Sequence, residues 1–404
     1  MTPTEVLGPA LIILAWLMAL SWLHRSVMAL RGMASVLDLT AIEESLLPAL
    51  PESEGPDVTV VVPARDEQDS IQATLESLLS SEGIRAQIIA IDDRSEDRTG
   101  ELMDAVASRS HHGANTLEVI HNRVLPQGWL GKPHALALGV ARARAQWLLF
   151  TDGDVTFAPE ALELALRAAT KTGSDHFVVV PTLTHEGVLA AGVQGSLQVL
   201  GQWAARMWKV QDPDAKDFFG VGGFNLLRVD TLEAFGGMER LRMEIVEDVS
   251  LGWLVKRELG RRSMMVLGPG LVKIAWMQGP FGIVSLLEKN AFAGNRYSIG
   301  ITVGASVFLF SQAVVPLLAL AAGPWGVGAC LTLYGSVAMS FHANRKLNGI
   351  SPILAILYAP TVLILVWSFL RSMFLTIKRG GVAWRGTLYP LAELKRAMIP
   401  WRIR

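Results

Sequence analysis

The feature that most limits what this chain can fold into is a stretch without charge: Ile301 to Ala322 contains no Asp, Glu, Lys or Arg. A run of that length matches the ~20 apolar residues that span a bilayer. Trp325 to Phe341 is also uncharged, and Ile350 to Leu370 is a third such run, interrupted by Pro352 and Pro360. A fourth lies at the amino terminus, where Gly8 to Leu23 carries no charge and Val6 and Leu7 extend it. A cleaved signal peptide wants basic residues ahead of its apolar core. Here Glu5 precedes the run, while His24, Arg25 and Arg31 follow it. Residues 1–24 therefore read as a retained anchor. The positive-inside rule sets the amino terminus outside and residue 25 onward in the cytoplasm. The expected location is the cell (inner) membrane, with several passes. Composition agrees, since only 18% of the residues are charged, against about a quarter in soluble domains. A net charge of −1 leaves no basic footprint for nucleic acid. The single cysteine, Cys330, excludes a disulfide framework or a cysteine-rich metal site within one chain.

Between the apolar runs lies a soluble α/β pattern, expected as one domain over residues 56–275. Residues 25–55 read as a linker that ends in Pro-Glu-Ser-Glu-Gly-Pro, Pro51 to Pro56. Val58 to Val62, Gln87 to Ile91, Leu117 to His121, Trp147 to Thr151 and Phe177 to Pro181 read as strands. Ser70 to Ser80, His134 to Ala145 and Pro159 to Thr170 read as helices, the first from Ile71, Leu75, Leu78 and Leu79 at helical spacing. Strands alternating with helices imply a largely parallel, doubly wound sheet. Residues 276–300 read as an amphipathic segment at the membrane surface or, equally, as an ordinary surface helix of the soluble domain, because Phe281 to Tyr297 mixes Ile283, Val284, Leu287 and Phe292 with Glu288, Lys289 and Arg296. Residues 301–377 form the membrane region and residues 378–404 a basic tail. Three full spans after the domain would carry the carboxyl terminus outside. Lys378, Arg379, Arg385, Lys395, Arg396, Arg402 and Arg404 argue instead for the cytoplasm. The Pro352/Pro360 run is therefore expected to be re-entrant or a bent hairpin, buried against protein.

Chemistry gathers at strand ends. Thr151-Asp152-Gly153-Asp154-Val155 directly follows the apolar Trp147 to Phe150. Two carboxylates there project into the crevice where open α/β sheets bind ligands. Such a pair suits Mg²⁺ or Mn²⁺, whose shell substrate phosphate oxygens complete. Ile91-Asp92-Asp93-Arg94-Ser95 ends another buried strand. Acids there can accept hydrogen bonds from a nucleotide base or ribose, and helix capping is the plainer alternative. Val62-Pro63-Ala64-Arg65-Asp66-Glu67 closes the first strand as a turn and helix start.

As a set, these three strand ends resemble family 2 glycosyltransferases. Further matches are Gly128-Trp129-Leu130-Gly131-Lys132, Val221-Gly222-Gly223-Phe224, Phe235-Gly236-Gly237 and Val246-Glu247-Asp248. The resemblance covers roughly residues 55–300. It implies a nucleotide-diphospho-sugar transferase domain of the Rossmann-like GT-A fold, with one amino-terminal and two to three carboxyl-terminal transmembrane helices. That layout is similar to the ceramide-glucosyltransferase-like and the hopanoid- or carotenoid-associated lipid glycosyltransferases. The resemblance also assigns roles. Asp66 or Glu67, with Asp92 and Asp93, would lie near the donor's base and ribose, and Lys132 near its diphosphate. Asp152 and Asp154 would hold the metal, Asp152 also the ribose. Asp248, beside Glu247, would be the general base, and Asn225 would face the acceptor. Arg296 and Tyr297 stand where relatives carry Gln/Arg-x-x-Arg-Trp, as acceptor contacts or supports. Ala293 replaces the first position of that motif, which favours transfer of one sugar over a processive polysaccharide synthase.

The expected function is inverting transfer of a single sugar from a nucleotide-diphosphate donor to a lipid hydroxyl at the bilayer. The motifs leave a polyprenyl-phosphate sugar synthase open. A transporter or scaffold with a degenerate domain predicts loss of the acids, yet Asp93, Asp152, Asp154 and Asp248 are present. A nucleotidyltransferase wants a glycine-rich loop after the first strand, and residues 63–70 contain no glycine.

Overall fold

The computed structural model describes residues 3–50, 54–109, 113–277 and 281–401. Pro51 to Ser53 of the expected linker, and Arg402 to Arg404 of the basic tail, lie outside the described residues.

The chain begins with α1 (Pro3–Ala34). This helix continues past the expected end of the anchor, into what the sequence suggests is linker. The soluble domain then opens with β1 (Val58–Ala64), α2 (Ile71–Leu79), β2 (Ala86–Asp93), α3 (Thr99–Arg109) and β3 (Thr116–Asn122). It continues through α4 (Gly131–Val140), β4 (Trp147–Phe150), β5 (Val155–Phe157), α5 (Ala161–Thr172), β6 (His176–Val180) and β7 (Thr182–His185). After α6 (Val188–Ala204) come β8 (Asn225–Arg228), α7 (Val229–Ala234), α8 (Glu247–Trp253), β9 (Ser263–Leu267) and β10 (Val272–Met277). The helix expected from His134 begins three residues earlier, at Gly131, and stops at Val140.

Seven strands form one sheet in the order β3-β2-β1-β4-β8-β6-β9. β1, β2 and β4 are buried at every position, as strands with helices on both faces must be. β1 runs parallel to β2 and β4, so their carboxyl ends open on one edge. The sheet is not parallel throughout. β8 pairs antiparallel with both β4 and β6. This reversal sets Asn225 opposite Phe150, beside the Asp152 strand end.

After the domain come α9 (Gly282–Gly294), α10 (Ile299–Ala319), α11 (Pro324–Ala343), α12 (Arg345–Asn348) and α13 (Tyr358–Arg379). Among the described residues, three segments are long and apolar enough to cross a membrane: Gly8–Ala34, Ile299–Ala322 and Pro352–Arg379. α11 is not one of them, although the uncharged Trp325 to Phe341 run falls within it. It lies along α1, where Trp16 meets Gly328 and the Ser340 hydroxyl donates to that of Ser26 at 2.8 Å. Trp22 on α1 also donates to Gln312 on α10 at 3.0 Å.

The expected re-entrant or bent hairpin at Pro352/Pro360 is not found. Pro352 to Leu357 is a short 3₁₀ turn, and α13 then runs unbroken for 22 residues. Pro360 is the third residue of α13, where a backbone N–H has no helical acceptor, so the ring costs no hydrogen bond. One face of α13 is buried through Val362, Leu365, Ser368 and Ser372. The other exposes Leu363, Trp367, Leu370, Phe374 and Ile377.

The basic tail is folded. β11 (Gly381–Trp384) and β12 (Thr387–Pro390) form a hairpin that leads into α14 (Leu391–Ala397). This unit docks on the soluble domain. Gly131 N–H donates to the Tyr389 hydroxyl, and Trp401 Nε1 donates to Ser250 Oγ at 2.7 Å.

Candidate active site

A cavity of about 930 Å³ opens beyond the carboxyl ends of β1, β2 and β4. Its walls include Glu67, Asp93, Lys132, Asp152, Asp154, Glu247, Asp248, Lys289 and Arg385.

The Asp152 loop and the Glu247 helix start are joined by one cation. Lys132 Nζ lies 2.5 Å from Asp152 Oδ1 and 2.6 Å from Glu247 Oε1. Burial works against the ammonium, but the Asp152, Glu247 and Asp248 carboxylates outweigh it and hold its pKa well above the usual lysine value. Asp152 responds in kind: burial would raise it, yet Lys132 draws it below the usual carboxylate range. Asp154 has no such partner. Burial and then the charges of Asp152 and Glu67 push it up to about 7. Glycine is needed opposite, since a Cβ on Gly222 would sit 2.3 Å from Asp152 Oδ2.

Asp248 is in the first turn of α8, and its Oδ1 accepts from Val249 N–H at 2.8 Å. The N-cap is Val246, with no side-chain capping bond, so Asp248 is not there to cap the helix. Burial, then the neighbouring Glu247, raises it to about 6. At neutral pH it is mostly ionised and able to take a proton.

Not every expected residue faces the cavity. Consecutive side chains of a strand point to opposite sides. Asp93 therefore lines the cavity, gripping Arg94 at 2.7 Å. Asp92 turns away, accepting from Ser95 N–H at 3.1 Å and facing His121 Nδ1 at 3.0 Å. Asp66 accepts from Glu96 N–H at 2.8 Å and braces one loop against another, while Glu67 reaches the cavity. Asn225, expected to face the acceptor, is not among the residues lining the large cavity but borders a small pocket with Lys132, Glu247 and Asp248. Asn225 is buried against His176, with its amide nitrogen 3.5 Å from the Asp248 carbonyl oxygen. Arg296 and Tyr297 do not face the cavity as acceptor contacts. Arg296 pairs with Glu244 at 3.0 Å and lies over the Trp401 ring, and Tyr297 packs edge-on against Phe292. Both support the docked tail.

Three cavity residues escape the sequence reading. Lys289, on α9, holds its ammonium 3.8 Å from the centre of the Trp384 ring. Burial and then Lys132 lower it to about 8. Arg385, at the tip of the β11–β12 hairpin, donates to the Arg65 and Asp66 carbonyls and to the Glu67 carboxylate. Trp384 and Arg385 come from a tail that composition alone presents as merely basic. A lysine inside the apolar stretch Ile283 to Phe292 was the available signal for Lys289.

The donors at the Asp152 strand end are hard oxygens. Among the described residues, no group of three or more His, Cys, Asp or Glu converges as a closed metal cage. Carboxylate oxygens such as those of Asp152 and Asp154 are of the kind Mg²⁺ takes, alongside waters and substrate phosphates. The crowding that drives Asp154 upward is what a dication would relieve.

Residues 59–233 match the family described as Glycosyl transferase family 2. The chain is 23% identical over 345 residues to the 4,4'-diaponeurosporenoate glycosyltransferase of Staphylococcus aureus strain MRSA252, covering 83% of this chain and 89% of that one. Among solved structures it is similar to the mannosyltransferase PcManGT from Pyrobaculum calidifontis in complex with GDP-Man and Mn²⁺. That match has a TM-score of 0.54 at 16% identity, covering 87% of this chain and 99% of that one. Likeness at this level shows a shared fold, the GT-A arrangement.

Proposed function

We propose, from the premise that residues 59–233 form a glycosyl transferase family 2 domain, that this chain moves one sugar from a nucleotide-diphosphate donor to the hydroxyl of a membrane lipid. The observation that carries the proposal is the Lys132 bridge, which ties the Asp152 strand end and the Asp248 helix start into one site. The donor lies against Glu67, Asp93 and Asp152. Lys132 offers the diphosphate a fixed positive charge, with Lys289 and Arg385 on the same cavity wall. Asp154 with Asp152 would hold Mg²⁺ or Mn²⁺, which supplies neutralisation of the leaving diphosphate. Asp248 accepts the proton of the acceptor hydroxyl as that oxygen bonds to the anomeric carbon. No second carboxylate is assigned as a nucleophile, so displacement is single and inverts configuration.

A second reading is favoured by Lys289 and by the Staphylococcus aureus relative, whose name gives a diaponeurosporenoate as what it glycosylates. A carboxylate acceptor would arrive already ionised, could rest against Lys289, and would not need a base. The two separate cleanly, because Asp248→Asn abolishes transfer to a hydroxyl and spares transfer to a carboxylate.

The test of the function itself is comparative mass spectrometry of membrane lipids with and without the gene. A lipid heavier by one sugar, present only with the gene, is expected. Identical lipid profiles from a strain that makes the protein would count against the proposal. The metal assignment is read from binding: Asp154→Asn should lose the Mn²⁺-dependent part of nucleotide-diphosphate affinity in calorimetry.

A further inference from the structure

Part of the cavity's lining lies apart in sequence from the charged strand ends. The cavity's volume of about 930 Å³ is near the top of the range for a single ligand, ~300–1,000 Å³. That part of the wall includes Leu183, Leu197, Gly201, Met207, Phe219 and Leu347, and we treat it as a second arm of the cavity. The lining residues from 180–223 and 344–347 include no charged side chain. This contrasts with the donor arm, where carboxylates and cations crowd together. The polar groups present in the second arm are spent on one another. Gln202 Nε2 donates to Asn344 Oδ1 at 2.6 Å, Asn344 Nδ2 returns a bond to Gln202 Oε1 at 3.2 Å, and Asn348 donates to Gln198. These amides fasten α6 to α11 and α12 and leave little for a ligand to bond.

The arm is continuous with the base. Phe219 and Gly220 run directly against α8, where a Cβ on Gly220 would sit 1.9 Å from the Asp248 carbonyl. At Gly201 there is open space, since a Cβ there would meet nothing within 4 Å.

We infer that this arm, walled by α6, α12 and the Met207–Phe219 loop, is a slot for the apolar tail of the acceptor, an uncharged chain whose reactive end is presented to Asp248. The inference rests on the reading of the site as a sugar transferase and adds where the acceptor's tail goes and what its chemistry must be. An uncharged chain in an uncharged slot gains by leaving water in proportion to the area it buries. The slot thus discriminates by chain length and rejects charged tails.

The test uses the full-length protein in phospholipid nanodiscs with a sixteen-carbon alcohol carrying a diazirine midway along its chain. Irradiation should place adducts on peptides containing Leu197, Met207 or Leu347. Gly201→Phe, which fills the open space, should cut that labelling at least tenfold, and Gly201→Ala should leave it near wild type. Met207→Trp narrows the slot from the opposite wall and guards against misfolding of the first variant. Binding of UDP and GDP, measured by calorimetry on the same preparations, reports the donor arm separately. Slot labelling without nucleotide binding would sink the transferase reading and keep the slot. Nucleotide binding with adducts only on the exposed faces of α1, α10 and α13, or adducts indifferent to Gly201→Phe, would overturn the slot.

Discussion

At the scale of single residues, the site works through one lysine shared by three carboxylates. Lys132 holds Asp152 below its usual range and opposes the burial that raises Asp248. The sign of its removal follows. With Lys132→Met, Asp248 loses a neighbouring cation and should be harder to ionise. In the wild type, kcat/KM should fall as pH drops through about 6, where Asp248 takes up a proton. In Lys132→Met that acid limb should move to higher pH, measured with a hydroxyl acceptor. An unmoved limb would mean that another group sets it. That Asp93, Asp152 and Asp154 stand at strand ends was legible in the sequence, because short apolar runs lead directly into them. That Asp92 faces away was not legible from the motif, and it follows only once the strand's alternation is fixed in space.

At the scale of elements, glycines decide how closely the loops approach. Gly220 packs under α8 so tightly that a methyl group would collide with the Asp248 carbonyl at 1.9 Å. Gly220→Ala should therefore displace the base and lower turnover by at least tenfold, with a fall in Tm. A variant as active as wild type would show that the loop yields without moving Asp248. The β11–β12 hairpin is the element least visible beforehand. Its turn puts Arg385 at φ 48° and Gly386 at φ 75°, the two left-handed positions of a tight hairpin. An arginine is an unusual occupant of such a place, so Trp384-Arg385-Gly386 gives a weak local signal. Arg385 is instead held by what it touches, the carbonyls of Arg65 and Asp66 and the carboxylate of Glu67. Arg385→Ala should loosen this clasp and weaken nucleotide-diphosphate binding several-fold in calorimetry, while leaving the protein in the membrane.

At the scale of the whole molecule, the folded tail constrains topology. Before α13, Leu347 packs with Val180 and Met265 of the soluble domain. After it, Arg379 pairs with Glu288 and the hairpin meets the Glu67 loop. α13 exposes an apolar stripe from Leu363 to Ile377 and belongs to one of the three segments long and apolar enough to cross a membrane. Because the hairpin after α13 touches the Glu67 loop, the described part of the basic tail packs on the catalytic domain. From the sequence, basic residues after several apolar runs suggest a bent hairpin, since nothing in composition reveals that the tail folds back onto the domain. Cys330 is buried, so single cysteines can be read against it. In intact cells an impermeant maleimide should miss both Asp69→Cys and Lys395→Cys, and permeabilisation should expose both. Labelling of Lys395→Cys alone would place the tail on the opposite side.

The account as a whole turns on Asp248. The most direct measurement is turnover of Asp248→Asn against wild type in nanodiscs, with a nucleotide-diphosphate sugar and a membrane-embedded hydroxyl acceptor. Asparagine keeps the size and the hydrogen bond from Val249 but cannot take a proton. The expected result is a ~10²–10⁴-fold loss of turnover with unchanged Tm and nucleotide affinity, and a β-linked product when the wild type is given an α-configured donor. Near-wild-type turnover by Asp248→Asn, or retention of configuration in the product, would contradict the account.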